Sequence, residues 1–180
     1  FDGDLLILKM NSFLPRDIAI RSILRVRADA SARYDAVERS YRYEITRIKD
    51  PFLQGLSWHY FKALKIENMN RAAALLIGEH DFKCFSKVKT DVNHFICKVK
   101  KASWIQKGDS LIFTISANRF LRGMVRAIVG TLLDVGTDKV SHKEFVSILQ
   151  SGDRKKAGAN VPAHGLYLQR VKYPSRLFLK

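Results

Sequence analysis

Polar and apolar positions alternate most regularly from Arg39 to Ile48 (RSYRYEITRI), where Tyr41, Tyr43 and Ile45 fall on one side and Arg42, Glu44 and Thr46 on the other. A period of two is the signature of a strand, and Pro51 ends it. A turn at 13–17, set by Pro15, precedes a less regular alternation of Ile18, Ile20, Ile23, Leu24 and Val26, also read as a strand. Lys98–Ile105 and Ser110–Ser116 predict a hairpin around Gly108-Asp109, and 166–171 predicts a last strand. Helical spacing of Met69, Ala72, Ala73 and Leu76 predicts a helix over 68–77 with a stop at Gly78. A broad apolar stripe (Phe120, Met124, Val125, Ile128, Val129, Leu132) predicts a longer helix over 120–135, and 142–149 predicts a short one. Gly78 to Phe85 reads as a compact aromatic turn, and the polar run from Ser151 to Asn160 as a mobile loop. Strands and helices interleave without a strict βαβ rhythm. The expected fold is α+β, one domain over 1–180, with a mixed, largely antiparallel sheet flanked by helices.

Composition sharpens this. With 180 residues, 47% hydrophobic and 27% charged, the chain can bury a core. Lysine and arginine number 32 against 17 acids, a net charge of +15, which points to a polyanionic partner such as nucleic acid. Cys84 and Cys97 have neither metal nor redox spacing, so buried thiols in a reducing, cytoplasmic compartment are expected. None of the five histidines is spaced as a metal pair, and no metal is expected. No apolar run is long enough to span a bilayer, and the first residues lack a signal-peptide pattern. The chain begins as though cut from something longer, without an initiator Met.

Some residues stand out chemically. Arg119, Arg122 and Arg126 punctuate the predicted long helix, where Arg122 and Arg126 would share a face. A solvated basic face is the ordinary meaning of that spacing. Arg126, however, lies between Val125 and Ala127, and an arginine at a core edge needs an anion, either a phosphate or a carboxylate. Aromatic and basic residues alternate from Arg39 to Tyr43, a combination that suits RNA. Tyr43 is read as core packing; for Tyr41 the residue types leave core and RNA contact equally open. Glu79 and Asp81 around His80 read as local caps.

Six segments in order, LPRDIAI (14–20), Ala32-Arg33-Tyr34, RSYRY (39–43), GEHDF (78–82), ANRFLRGMVRAIVG (117–130) and HGLYL (164–168), make the chain resemble the TruA family of tRNA pseudouridine synthases. The resemblance implies a pseudouridine synthase-like fold and cofactor-free conversion of uridine to pseudouridine in the anticodon stem-loop of tRNA, by a homodimer. It implies that Tyr41 packs on the target base and is a candidate for taking its proton. Arg126 would pair with the catalytic aspartate, and Leu166 would close the pocket. Arg33, Arg119 and Arg122 are plausible phosphate contacts by charge. The family's aspartate belongs to an R-T-D-x-G-V-H motif upstream of the LP-x-D-I segment. This sequence has no such motif, and Phe1-Asp2 resembles residues shortly after it. Lys89-Thr90-Asp91-Val92-Asn93-His94 echoes it, but follows GEHDF and lacks the glycine, so it reads as a loop. The expectation is therefore a C-terminal catalytic portion, inactive alone, with Tyr41 and Arg126 lining a cleft that a carboxylate would enter. A non-catalytic RNA-binding module is the alternative.

The charge makes one prediction on its own. Affinity for tRNA should fall about a hundredfold between roughly 50 and 200 mM salt if about four phosphates are contacted. A filter-binding titration across that range checks it, and a flat response would contradict an electrostatic footprint.

Overall fold

The computed structural model describes residues 2–87 and 92–179. The Lys89-to-Asp91 part of the motif echo and Phe1 lie outside them. Two compact units emerge, Phe1–Ala36 with Tyr173–Lys180, and Val37–Lys172.

The first unit opens with helix α1 (Gly3–Phe13), started by the Asp2 carboxylate, which accepts from the Asp4 and Leu5 amides at 3.0 and 3.1 Å. This cap satisfies two of the helix's orphan N–H groups. Sequence pattern missed α1, since its apolar residues are not spaced to bury a face and none of them is buried. The strand expected over 18–26 does not form. Instead the Asn11 side chain occupies both backbone groups of Ile20, accepting from its N–H at 2.7 Å and donating to its C=O at 2.8 Å. Farther on, only Val26 makes a bridge, antiparallel to Phe178. β-branched residues favour strands only where a partner strand is present.

The second unit carries the sheet. Strands β1 (Glu38–Thr46), β2 (Trp58–His59), β3 (Gly78–Asp81), β4 (Ile96–Lys107), β5 (Ser110–Ala117) and β6 (Leu166–Lys172) form one mixed sheet. The order is β2-β1-β5-β4-β3, with β6 also on β1; only β1–β2 is parallel. This is the expected α+β fold with a largely antiparallel sheet. β4 and β5 form the expected hairpin, with Gly108 at φ +56° in the turn. Helices α2 (Ile66–Ala74), α3 (Met124–Gly136) and α4 (His142–Ser151) are interleaved with the strands. Gly78 does not cap α2; at φ +114° it begins β3, and the aromatic turn is that strand followed by a 3-10 turn over Lys83–Phe85. α4 starts on a capping box, Ser141 with Glu144.

The strand alternation becomes a core. Tyr43, Ile45, Phe113 and Ile115 are buried on the face that meets Met69, Leu76, Ile128 and Leu132 of α2, its C-terminal turn and α3. Arg42 and Glu44, on the other face, pair at 3.0 Å while partly exposed. Burying an aromatic such as Phe113 stabilises by about 3 kcal/mol relative to exposure.

Both cysteines are buried, Cys84 against the Leu149 carbonyl and Cys97 against that of Phe95, each at 3.8 Å. Burial pushes the Cys84 thiol up to about 12 and the Cys97 thiol up to about 11. A raised folded-state value means that the unfolded chain ionises first. Stability should therefore be insensitive to these thiols below about pH 8.5, the free-thiol value, and decline as pH rises through 11 to 12. Urea titrations at stepped pH read this. At pH 8 both thiols should resist an alkylating reagent until denaturant is added.

Candidate active site

The arginine of greatest interest sits on α3, the most apolar helix. Arg126 is half-buried between fully packed neighbours. α3 begins at Met124, four residues later than expected, because Gly123 at φ +80° closes a turn over 122–123. This corrects the reading of Arg119, Arg122 and Arg126 as one helical series. Arg122 lies exposed in the turn and shares no helical face with Arg126. Its carbonyl accepts from the Lys87 amide at 2.8 Å. Arg119 follows β5 and lies 3.1 Å from His94 Nε2.

What holds Arg126 is main chain. Its Nε–H donates to the Val161 carbonyl at 2.5 Å, and the Val161 amide donates back to the Arg126 carbonyl at 3.4 Å. Among the described residues neither terminal amino group of the guanidinium has a hydrogen-bond or ion-pair partner. The fork is oriented at its root and open at its tip, the arrangement that suits a carboxylate.

Val161 is fixed by a close approach between two stretches of backbone. At Gly130 of α3 an added Cβ would run into the Ala159 carbonyl oxygen. At Gly158 it would meet the Gly130 carbonyl carbon at 2.9 Å and the Thr131 amide at 2.8 Å. Only glycines allow this contact. The Thr131 hydroxyl accepts from the Gly158 amide at 2.8 Å, and Arg154 donates to the Ala157 and Gly158 carbonyls at 3.2 and 3.0 Å. The polar run expected to be a mobile loop is thus fastened across α3. Charge and glycine content suggested mobility; the contact that removes it depends on helix packing, which composition does not encode.

Tyr43 meets the same segment. Its hydroxyl donates to the Pro162 carbonyl at 2.8 Å, next to the carbonyl that holds Arg126. Burial raises the Tyr43 phenol's pKa, opposed by the Arg126 charge, so it stays protonated and serves as a fixed donor. Tyr43 is the core residue the sequence suggested. Leu166 is its cross-strand partner on β6, partly buried against the core.

Tyr41 lies two residues along the same face, opposite Ile115 and Leu168, after a bulge between Ser40 and Tyr41. Its ring is half-buried and set edge-on to Phe120, centroids 5.1 Å apart at 88°. Its hydroxyl has no hydrogen-bond partner among the described residues. Leu168 beside it is 54% exposed, so this end of the face opens outward where the Tyr43 end is closed. Phe120 had been read only as part of a helical stripe; its supporting role depends on the Gly123 turn. Arg33 is exposed in the first unit, its guanidinium 5.4 Å from the Tyr34 ring. The structure therefore holds Arg126 and Tyr43 on adjacent carbonyls of one segment, with Leu166 opposite Tyr43 on β6 and Tyr41 next along the strand.

The family described as tRNA pseudouridine synthase matches residues 72–174, which include α3, the 157–162 segment and β6. The chain is 50% identical over 173 residues to tRNA pseudouridine synthase A of Porphyromonas gingivalis, covering 95% of this chain and 69% of that protein. Its likeness to the protein so named in Parabacteroides distasonis is 47% over 98% of the chain and 71% of the relative. For that of Bacillus subtilis it is 39%, over 91% and 67%. The chain belongs to the tRNA pseudouridine synthase family. Membership gives the half-buried arginine, the open-ended tyrosine and the flanking leucine a common context. Among the described residues no group of His, Cys, Asp and Glu could hold a metal ion, and no helix is long and apolar enough to cross a membrane.

Gly130→Ala should displace the 157–162 segment and with it the Val161 carbonyl. A loss of at least about 2 kcal/mol is expected, from strain of the overpacking kind. Denaturant unfolding measures it, with Gly3→Ala, where an added Cβ meets nothing within 4 Å, as the neutral control.

Proposed function

We propose that this chain carries the binding and positioning side of a tRNA pseudouridine synthase site, isomerising uridine in the anticodon stem-loop. The observation that carries the reading is Arg126: half-buried, held through Nε by a main-chain carbonyl, with both terminal amino groups unpaired among the described residues. An arginine so placed calls for an anion, and a two-pronged carboxylate fits its open fork. In this family's chemistry that carboxylate is the aspartate that attacks the ribose while the base is detached, turned and rejoined through carbon. Arg126 would keep it ionised and aimed.

Tyr41 supplies the wall for the extruded base. Its ring is braced by Phe120, and among the described residues its hydroxyl is unpaired; as the phenolate, that oxygen would take the proton released when the new bond forms to carbon. Leu166 closes the pocket from β6. Arg119, Arg122 and Arg33 serve as phosphate contacts. A homodimer acting in the cytoplasm, needing no cofactor, completes the proposal. The 180 residues contain no R-T-D-x-G-V-H segment. On this reading they form no pseudouridine by themselves.

In the protein bearing that segment, Arg126→Ala should lower kcat by about a thousandfold, the scale of removing a group that fixes transition-state charge. Tyr41→Phe should lower it by about a hundredfold, the lower end for proton transfer, with little change in KM. Tyr43→Phe and Arg122→Ala should leave kcat within a few-fold, Arg122→Ala acting on KM and its salt dependence. Tritium release from 5-tritiated uridine in tRNA measures all four. Unchanged turnover in Arg126→Ala, or turnover by the 180 residues alone, would overturn the assignment.

A further inference from the structure

A second cavity lies beyond the buried end of β1, about 620 Å³ in volume, with Thr46, Asp50, Ser57, Trp58, His59 and His164 in its wall. Ser57 is only 7% exposed, and among the described residues its hydroxyl, itself closed off from solvent, has no hydrogen-bond partner. A buried polar group left unpaired is costly and uncommon, and in a residue at the wall of a ligand-sized cavity a turn about χ1 would offer this hydroxyl to a ligand's polar edge. Trp58 is partly buried beside it, steadied by the edge of Tyr60 at 4.9 Å and by its β-bridge to Ile45. His59 and His164 are exposed imidazoles, and Lys49, also in the wall, adds a cation.

Flat ring faces, one buried hydroxyl and a flanking ammonium are what an unstacked nucleotide uses. The base lies on a ring, its polar edge meets the hydroxyl, and its phosphate meets the lysine. The location fits the same RNA. Thr46 is five residues from Tyr41, the wall for the reacting base, on β1, about 17 Å of strand. His164 is two residues before Leu166. We propose that this cavity is a second nucleotide subsite, holding an unstacked base of the tRNA farther along the strand from the reacting uridine. It rests on the tRNA reading of the site but uses none of the residues assigned there.

Trp58 supplies the readout. The chain has two tryptophans, and Trp104 is 3% exposed in the core, so quenching by a ligand reports Trp58. Trp104→Phe isolates that signal, and the unaltered protein serves if the variant is unstable. Nucleoside 5′-monophosphates and an anticodon stem-loop RNA should quench, and inorganic phosphate should not. Ser57→Ala should weaken nucleotide binding about fivefold, the scale of one hydrogen bond, without lowering Tm, because it removes an unpaired buried group from the free protein. Lys49→Ala should reduce the salt slope of stem-loop binding by about one. Silence of Trp58 toward every nucleotide and the RNA, or equal quenching by phosphate, overturns the subsite. So does a Ser57→Ala variant that loses Tm and keeps its nucleotide affinity. Pseudouridine formation by the full-length protein, assayed in parallel, separates the two readings. Turnover with a silent Trp58 removes the subsite and leaves the enzyme, whereas quenching without turnover supports the subsite and counts against the catalytic assignment.

Discussion

The contact of Gly130 with the backbone at Ala159 and Gly158 is the constraint on which the site depends. Two stretches of main chain lie so close that no side-chain carbon fits between them. That closeness presents the carbonyls of Val161 and Pro162 to Arg126 and Tyr43. Without it the segment would be held by hydrogen bonds alone, through Thr131, Arg154, Tyr43 and Arg126 itself, and the guanidinium would lose its rigid anchor. An arginine has several rotatable bonds and loses much freedom when fixed, so positioning it at a core edge requires a rigid acceptor. Helix packing provides that rigidity, and glycine makes the packing possible.

The two tyrosines of β1 show how one strand face holds two different environments. They occupy the same face, two residues apart, and have the same side chain. Tyr43 has its hydroxyl committed to a carbonyl and its ring sealed in the core; Tyr41 has its ring braced at the edge and its hydroxyl unpaired. The difference comes from what lies opposite. β6 offers Leu166, packed inward, to the first and Leu168, largely exposed, to the second. The bulge between Ser40 and Tyr41 lies just beyond the open-ended tyrosine, where the pairing with β6 shifts register.

Much of this was legible in the sequence. Alternation from Arg39 onward located β1 and its buried face, the Gly108-Asp109 hairpin and β6 followed from turn and strand signals, and α4 followed from its apolar spacing. These elements satisfy local rules. The misses share a cause: they depend on partners distant in the chain. Ile18 to Val26 had strand-like residues but no strand to join. Gly123 ended a helical pattern that apolar spacing had extended to Phe120. The run from Ser151 to Asn160 looked unconstrained because its restraints lie on α3. For the site, charge and flanking apolar residues singled out Arg126. Its carbonyl anchor, the Phe120 brace and the unpaired Ser57 hydroxyl are products of tertiary packing.

Arg126 is aimed by a peptide carbonyl, and every residue type brings a peptide carbonyl. The side chain at 161 can therefore drift, within the volume its buried position permits, without turning the guanidinium. Had a glutamate or asparagine held the Nε–H, a single codon change would have released it. The burden of heredity has been moved from a recognisable polar partner to two glycines. Wear on this enzyme's chemistry over generations would thus show first at positions that look like mere spacers.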